Sequence, residues 1–260
     1  MIKRSVCLVF IFISLCSAAA AQEWKEQKSE HFIVYYLDDD NFASEASQWA
    51  EKYYVNIASD LGYSRYDNFW TWDKRVKIYI YRDRAQFLSS TGAKDWSYGF
   101  VNYNEKTIYS YANNARFLDA LLPHELAHLV FRDFVGFKGE VPMWLDEGVA
   151  QWEEADKRRV AIELAKEFIA KREFIALSRL TQMNIAEESD AEVSRKFYAE
   201  AASLVGFMIK KYGESKFIVF CQQLRDGASM NAALSFAYSA DPIRDIGELE
   251  KEWIKYYGGE

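Results

Sequence analysis

Cysteine is scarce in this sequence, and the few residues present fall mainly at its start. The 260 residues contain three cysteines, and two of them lie within the first 21 residues. That segment opens with Lys3 and Arg4, continues with an apolar run over residues 6–15, and ends in small residues at 18–21. The apolar run is too short for an ordinary membrane-spanning helix. The pattern predicts a signal peptide over 1–21 and an exported protein, either periplasmic or secreted.

The positions of the cysteines exclude two kinds of site. A lipoprotein signal, with a lipid anchor at Cys16, is the alternative to an ordinary signal peptide. However, Leu15 before it is bulkier than a lipoprotein signal usually allows. Once the leading segment is removed, only Cys221 remains. The mature chain then has no internal disulfide and no cysteine-based zinc site. No other apolar run is long enough to span a bilayer, so we expect no stable membrane insertion after cleavage.

Positive charge is also in deficit. The formal net charge is −7, and it becomes −9 when Lys3 and Arg4 leave with the signal peptide. An acidic chain argues against nucleic acid and against anionic membrane surfaces as partners. The remaining length of about 239 residues is enough to bury a sizeable core in one domain.

Histidine is as rare as cysteine, yet two of the three histidines stand four residues apart. Residues 123–128 read PHELAH. On a helix, positions i and i+4 lie one above the other, so His124 and His128 would present two imidazoles to one point. Glu125 would lean toward the same open side. This geometry suits two zinc ligands and the general base of a metallohydrolase.

A chance occurrence of these residues on an ordinary helix is the competing interpretation. Apolar residues recur around the motif at helical spacing, which predicts one packed helix from about residue 117 onward. They are Phe117, Leu118, Leu121, Leu122, Leu126, Leu129 and Val130. Two imidazoles and a carboxylate on such a helix are costly to bury without a partner, and a metal ion is one such partner.

A catalytic zinc usually has three protein ligands, so a third is needed. Residues 141–150 read VPMWLDEGVA. Pro142 suits the first turn of a second helix, which would present Glu147, and Gly148 would let that helix approach closely. Eighteen residues lie between His128 and Glu147, enough for the end of one helix and a loop through Gly139.

Residues 124–128 together with residues 144–150 (WLDEGVA) carry a family resemblance. They resemble the gluzincin zinc peptidases, in particular the alanyl-aminopeptidase and leukotriene-hydrolase group and small bacterial peptidase MA-like proteins. The resemblance covers about residues 115–212. It implies one zinc ion held by His124, His128 and Glu147, with Glu125 as general base and a peptide or protein as substrate.

A tyrosine farther along the chain extends the resemblance. In the aminopeptidase group, a Tyr followed by small residues on a later helix hydrogen-bonds the oxyanion. Residues 197–205 read FYAEAASLV, and Tyr198 has the corresponding place some fifty residues after Glu147. The alternative is that Tyr198 is one of 17 tyrosines filling an aromatic-rich core.

One departure from that group bears on specificity. Its aminopeptidases carry a Gly-x-Met-Glu-Asn segment that captures the substrate amine, whereas residues 99–104 of this chain read GFVNYN. The difference favours an endopeptidase, or a peptidase with another terminal preference, over an aminopeptidase. For the carboxylate or amide that orients the histidines, the sequence offers Asp146, Gln151 and Glu153 without ranking them.

The remaining patterns predict an α+β, zincin-like fold. A small mixed sheet lobe would occupy about residues 22–114 and a zinc-site and helical lobe about 115–260, together forming one catalytic domain over 22–260. Strands are predicted at 31–37, 75–81, 98–103 and 106–111, the last two as a hairpin, and helices at 42–61, 83–90, 158–171, 192–212, 214–225, 229–238 and 245–257. Residues 38–41 are predicted to form a turn with a helix cap, and His31 to be non-catalytic.

Two functional alternatives stand beside a peptidase. One is a zinc-bearing envelope protein that binds peptides or partners without turnover, although Glu125 argues against it because zinc binding alone does not need that carboxylate. The other is a hydrolase of a non-peptide substrate, for which the sequence offers no clamp aimed at phosphate or sulfate. No pattern in the sequence specifies an oligomeric state.

Overall fold

A small mixed sheet is followed by a mainly helical region in the computed structural model, which describes residues 23–61, 70–71, 74–95, 97–136 and 141–259. The predicted α+β fold class is therefore confirmed. The predicted signal peptide and Gly139 fall outside the described residues. None of the described helices combines the length and the apolar character needed to cross a bilayer.

Five strands form the sheet in the order β1-β2-β3-β5-β4. They are β1 (Lys25–Lys28), β2 (Phe32–Tyr36), β3 (Val76–Tyr81), β4 (Phe100–Asn102) and β5 (Thr107–Tyr111). The three central strands are parallel, and β1 and β4 run antiparallel at the two edges. The predicted hairpin is present as β4 and β5, whereas β1 was not predicted, because its run of charged and polar residues gives no apolar alternation.

Alternation along the strands decides which sheet face is buried. In β3, Val76, Ile78 and Ile80 are buried, whereas Lys77 is exposed between them. A side-chain period of two places the three apolar residues on one face. That face packs on the helices, and one hydrophobic core extends from the sheet into the helical region.

Ten α-helices occur in the described residues. They are α1 (Asp40–Asp60), α2 (Arg84–Thr91), α3 (Leu122–Val135), α4 (Met143–Glu153), α5 (Ala155–Lys171), α6 (Leu177–Leu180), α7 (Ala191–Tyr212), α8 (Glu214–Arg225), α9 (Met230–Ala237) and α10 (Ile246–Gly258).

The ends of these helices follow local capping chemistry. The Asp39 side chain accepts the Phe42 N–H at 2.9 Å, which confirms the predicted cap before α1. Gly136 ends α3 with a φ of 79°.

Helix α4 lies between α3 and α7 and packs very closely against α7. At Gly148, an added Cβ would stand 2.7 Å from the Ala201 carbonyl oxygen, so only glycine fits there. At Gly206 on α7, a Cβ would stand 2.1 Å from the Trp152 ring. The predicted close approach at Gly148 is confirmed, and these two contacts fix the position of α4.

The start of the predicted zinc helix differs from expectation. Residues Phe117–Leu121 form a π-helix, in which the Leu121 N–H donates to the Arg116 carbonyl at 2.9 Å, and the regular α-helix begins only at Leu122. The packed helix is therefore present from residue 117, but its first turn has π-type rather than α-type hydrogen bonding. Pro123 has no N–H to donate to the preceding turn, which explains a break in the regular hydrogen-bond pattern at this point.

Candidate metal centre

The two histidines of α3 bring their distal nitrogens together. His124 and His128 are one helical turn apart, and their Nε2 atoms are separated by 3.2 Å. The His128 side chain is 4% exposed and the His124 side chain 18% exposed, so one imidazole lies in the core and the other at a surface cleft. The predicted i, i+4 arrangement is present.

Glu147 on α4 completes a donor set. Its Oε2 lies 3.8 Å from His124 Nε2, and one ligand atom from each of His124, His128 and Glu147 lies within 4.8 Å of the others. Donors around a tetrahedral zinc ion at about 2.1 Å stand about 3.4 Å apart. The three residues therefore fit a zinc ion in both spacing and chemistry, and this group could hold a metal ion.

A buried carboxylate supports His124 from behind. Glu154 Oε1 lies 2.8 Å from His124 Nδ1, and the same oxygen accepts a hydrogen bond from Lys157 at 2.7 Å. When Nδ1 donates to this carboxylate, the lone pair of the imidazole is on Nε2, which faces the other donors. Glu154 thus selects the tautomer that suits metal binding.

His128 has a different support. Its Nδ1 lies 3.0 Å from Asp146 Oδ1, so this carboxylate faces the ring nitrogen opposite to Nε2. Arg132 donates to the other Asp146 oxygen at 2.5 Å, and its guanidinium lies 4.2 Å from the centre of the Tyr103 ring. Burial alone would raise the pKa of Asp146, but His128 and Arg132 outweigh it and lower that pKa.

Of the three candidates that the sequence offered for supporting the histidines, only Asp146 contacts one of them. Glu153 points away toward Arg158, and burial raises the pKa of its carboxyl to about 8. Gln151 lines the cleft and makes no hydrogen bond to either histidine. Glu154 was missed, because it stands at the junction of α4 and α5 and belongs to no helical pattern.

Arg132 was also missed, although the sequence carries a signal for it. Arg132 follows His128 by four residues on α3 and so lies on the same helix face as both histidines. An arginine at that position can bind the carboxylate that supports a histidine, and Arg132 does bind Asp146.

Glu125 lies beside the donor set on the floor of the cleft. Burial raises the pKa of its carboxyl, the two neighbouring imidazoles oppose this, and the negative charge of Glu147 adds to it. A carboxylate with a raised pKa next to an open metal position is suited to accept a proton at neutral pH. The structure thus brings Glu125 into the same cleft as His124 and Glu147.

Tyr198 on α7 lines the same cleft as the metal-binding group. Its hydroxyl makes no hydrogen bond to any described residue, and burial followed by the charge of Glu147 raises its pKa to about 12. The hydroxyl therefore stays protonated at neutral pH and is able to donate. The structure brings Tyr198 to the same cleft as the donor set, where it also packs against the hydrophobic core.

The cleft over the donor set has a volume of about 570 Å³. Its floor carries His124, Glu125 and Glu147, and one wall is formed by residues 97–99, which lead into the edge strand β4. His31 plays no part in it, since its Nδ1 lies 2.6 Å from Glu51 on α1. The prediction that His31 is non-catalytic is consistent with this position.

Two histidines and a glutamate, with a second glutamate beside them in an open cleft, make the arrangement of a metal-dependent hydrolase. The family model of the Peptidase MA superfamily matches residues 66–258, and the chain belongs to that superfamily. A search of curated proteins finds no match. Membership indicates a metallopeptidase that acts on peptide or protein substrates, and the donor set is consistent with a gluzincin-like site.

Proposed function

We propose that this protein is an exported zinc endopeptidase of the gluzincin type. His124, His128 and Glu147 would hold one zinc ion, Glu125 would act as general base and Tyr198 would stabilise the oxyanion. The observation that carries the proposal is the 3.2 Å approach of two Nε2 atoms whose opposite ring nitrogens both face carboxylates. That arrangement directs two lone pairs to one point next to Glu147.

The residues of the cleft divide the chemistry of peptide hydrolysis among them. When bound, zinc supplies Lewis-acid activation of the attacking water and of the scissile carbonyl. Glu125 takes the proton of the water as attack begins and delivers it to the leaving amine. The Tyr198 hydroxyl, protonated at neutral pH, donates to the oxygen on which negative charge develops.

The proposal of an endopeptidase follows from the wall of the cleft. Residues 97–99 line it, and none of the three carries a carboxylate that would pair with a substrate α-amine. An extended peptide can add to the edge strand β4 through backbone hydrogen bonds without using its termini. Export is proposed from the signal-like pattern of residues 1–21.

The test is cleavage of a mixed peptide library by the purified mature protein, with added zinc and with a chelator. The Glu125→Gln variant is run in parallel, and Glu163→Gln, an exposed substitution on α5, is the matched control. We expect chelator-sensitive internal cleavage that is lost in Glu125→Gln, retained in Glu163→Gln and accompanied by unchanged zinc content in both.

Each other result removes a defined part of the proposal. Turnover by Glu125→Gln would remove its role as base. Cuts confined to peptide ends would replace the endopeptidase assignment. Protein that holds one zinc and cleaves nothing would favour a binding role.

A further inference from the structure

Two cationic side chains line the cleft beside the metal-binding group, and they differ in their partners. Lys157 is engaged by the buried Glu154 at 2.7 Å. Arg116 is exposed, and its guanidinium makes no hydrogen bond or ion pair with any residue that the structure describes. Its charge is therefore available to a molecule that enters the cleft.

The backbone of Arg116 is firmly held although its side chain is free. Its N–H donates to the Asn114 side-chain oxygen at 3.1 Å, and its carbonyl accepts the Leu121 N–H at 2.9 Å. Asn114 is buried and also donates to the Tyr98 carbonyl at 2.9 Å. One buried amide thus fixes Arg116 relative to the wall that leads into β4, along which an extended peptide would lie.

Other arginines near the site are used by the fold. Arg132 is bound to Asp146, and Arg158 lies 3.2 Å from Asp60 and 3.5 Å from Glu153. Arg116 differs from both, because it lines the cleft and has no acidic partner among the described residues. In a chain of net charge −7, an unpaired guanidinium on a held backbone in the cleft favours a ligand that carries an anionic group.

We propose that Arg116 determines specificity by binding a carboxylate of the peptide, and this inference rests on the proposed peptidase function. The guanidinium fork binds a carboxylate through two parallel N–H donors, which a lysine does not reproduce. The carboxylate is either the C-terminus of the substrate or an Asp or Glu side chain near the cut. The preferred substrates are therefore acidic at one position, although the protein itself is acidic.

Binding is measured apart from turnover to test this. Zinc-loaded Glu125→Gln protein is immobilised and exposed to short N-acetylated peptides in matched sets. One pair differs only in a free or amidated C-terminus, and another only in Asp and Glu against Asn and Gln. Retention is quantified by mass spectrometry, and cleavage of the same peptides by protein with Glu125 intact is measured separately.

Three substitutions in the same background report on Arg116. Arg116→Gln removes the charge, Arg116→Lys keeps the charge without the fork, and Arg179→Gln removes an exposed arginine of α6 that also lacks an ion pair among described residues. We expect carboxylate peptides to be retained about tenfold better than their neutral partners, with the preference abolished in Arg116→Gln and reduced in Arg116→Lys. Arg179→Gln keeps it in full.

The outcomes separate the two proposals. A preference confined to free C-termini assigns the terminal carboxylate and replaces the endopeptidase assignment with cleavage near that terminus. A preference confined to Asp and Glu assigns the side chain and keeps the endopeptidase assignment. Cleavage without any carboxylate preference overturns the role of Arg116 and leaves the peptidase standing. A preference that depends on Arg116 in a protein without turnover overturns the peptidase and retains the carboxylate site. The inference is overturned if carboxylate peptides are retained equally by the protein with Arg116 intact and by the Arg116→Gln variant, or if neither protein retains them.

Discussion

His124 and His128 are donors of the same kind on one helix, but they are supported in different ways. Behind His128, both oxygens of Asp146 are used: Oδ1 faces the imidazole, and Arg132 donates to both oxygens. Behind His124, a single oxygen of Glu154 serves both the imidazole and Lys157. The His128 side is closed by Tyr103 stacked on Arg132, whereas the His124 side opens into the cleft.

The difference shows that the two histidines of the candidate metal site have supports of different kinds. On the core side both oxygens of the supporting carboxylate are engaged behind a buried imidazole, which favours rigidity. The cleft side has a simpler support next to the space where a substrate would lie. We therefore expect the two carboxylates to contribute unequally to metal binding, and substitutions can measure that inequality.

Glu147→Ala is expected to have the largest effect, because it removes the third member of the donor set. Two histidines alone leave the metal without its third protein ligand. We expect zinc content to fall from about one ion per chain to nearly none, as measured by elemental analysis after dialysis, with Glu163→Ala as control. Unchanged zinc content would exclude Glu147 as a ligand.

Asp146→Asn is expected to come second. An asparagine replaces one of the two carboxylate oxygens with an NH₂ group, and that group must face a donor, either His128 or Arg132, because both Asp146 oxygens are in use. We expect zinc affinity to fall by about 100-fold. Competition with a chromophoric chelator measures it, and circular dichroism establishes that the variant is folded.

Glu154→Gln is expected to have a smaller effect of the same kind. The oxygen of a glutamine can still accept from His124 and from Lys157, because Glu154 uses only one oxygen. We expect zinc affinity to fall by about tenfold in the same chelator assay. A loss greater than that of Asp146→Asn would reverse the comparison between the two histidines.

Lys157→Gln is expected to have the smallest effect. The Lys157 side chain is 41% exposed, and an ion pair at that exposure contributes little. We expect a change in zinc affinity of no more than about threefold. A loss as large as that of Glu154→Gln would show that Lys157, rather than the carboxylate alone, holds the imidazole.

Sequence analysis predicted the parts of the site that depend on local periodicity. The spacing of His124 and His128 within one helix places them together regardless of the rest of the fold. Glu147 was predicted from a helix start at Pro142 and from a family pattern. The edge hairpin and nearly all helices followed from apolar alternation and capping residues, each of which acts over a few neighbouring positions.

The supports of the histidines depend on tertiary geometry that no local pattern encodes. Which carboxylate reaches which Nδ1 is set by how α3 crosses α4 and by the turn at Glu154, thirty residues from His124. The position of Arg116 could not be predicted from local spacing either. The π-helix that follows it changes the helix face on which the residues before α3 lie. Its relation to the cleft appears only when residues 97–99 are folded beside it.

The close contact of α4 with α7 has a consequence for the order in which the molecule can become functional. Every proposed zinc ligand has left the ribosome once residue 147 has emerged, but the surface that fixes α4 at Gly148 and Trp152 belongs to α7, beginning at Ala191. A nascent or truncated chain that ends before α7 would contain all the donors without the support that sets their spacing. We therefore expect the spacing of the three donors to be set only after α7 has been synthesised.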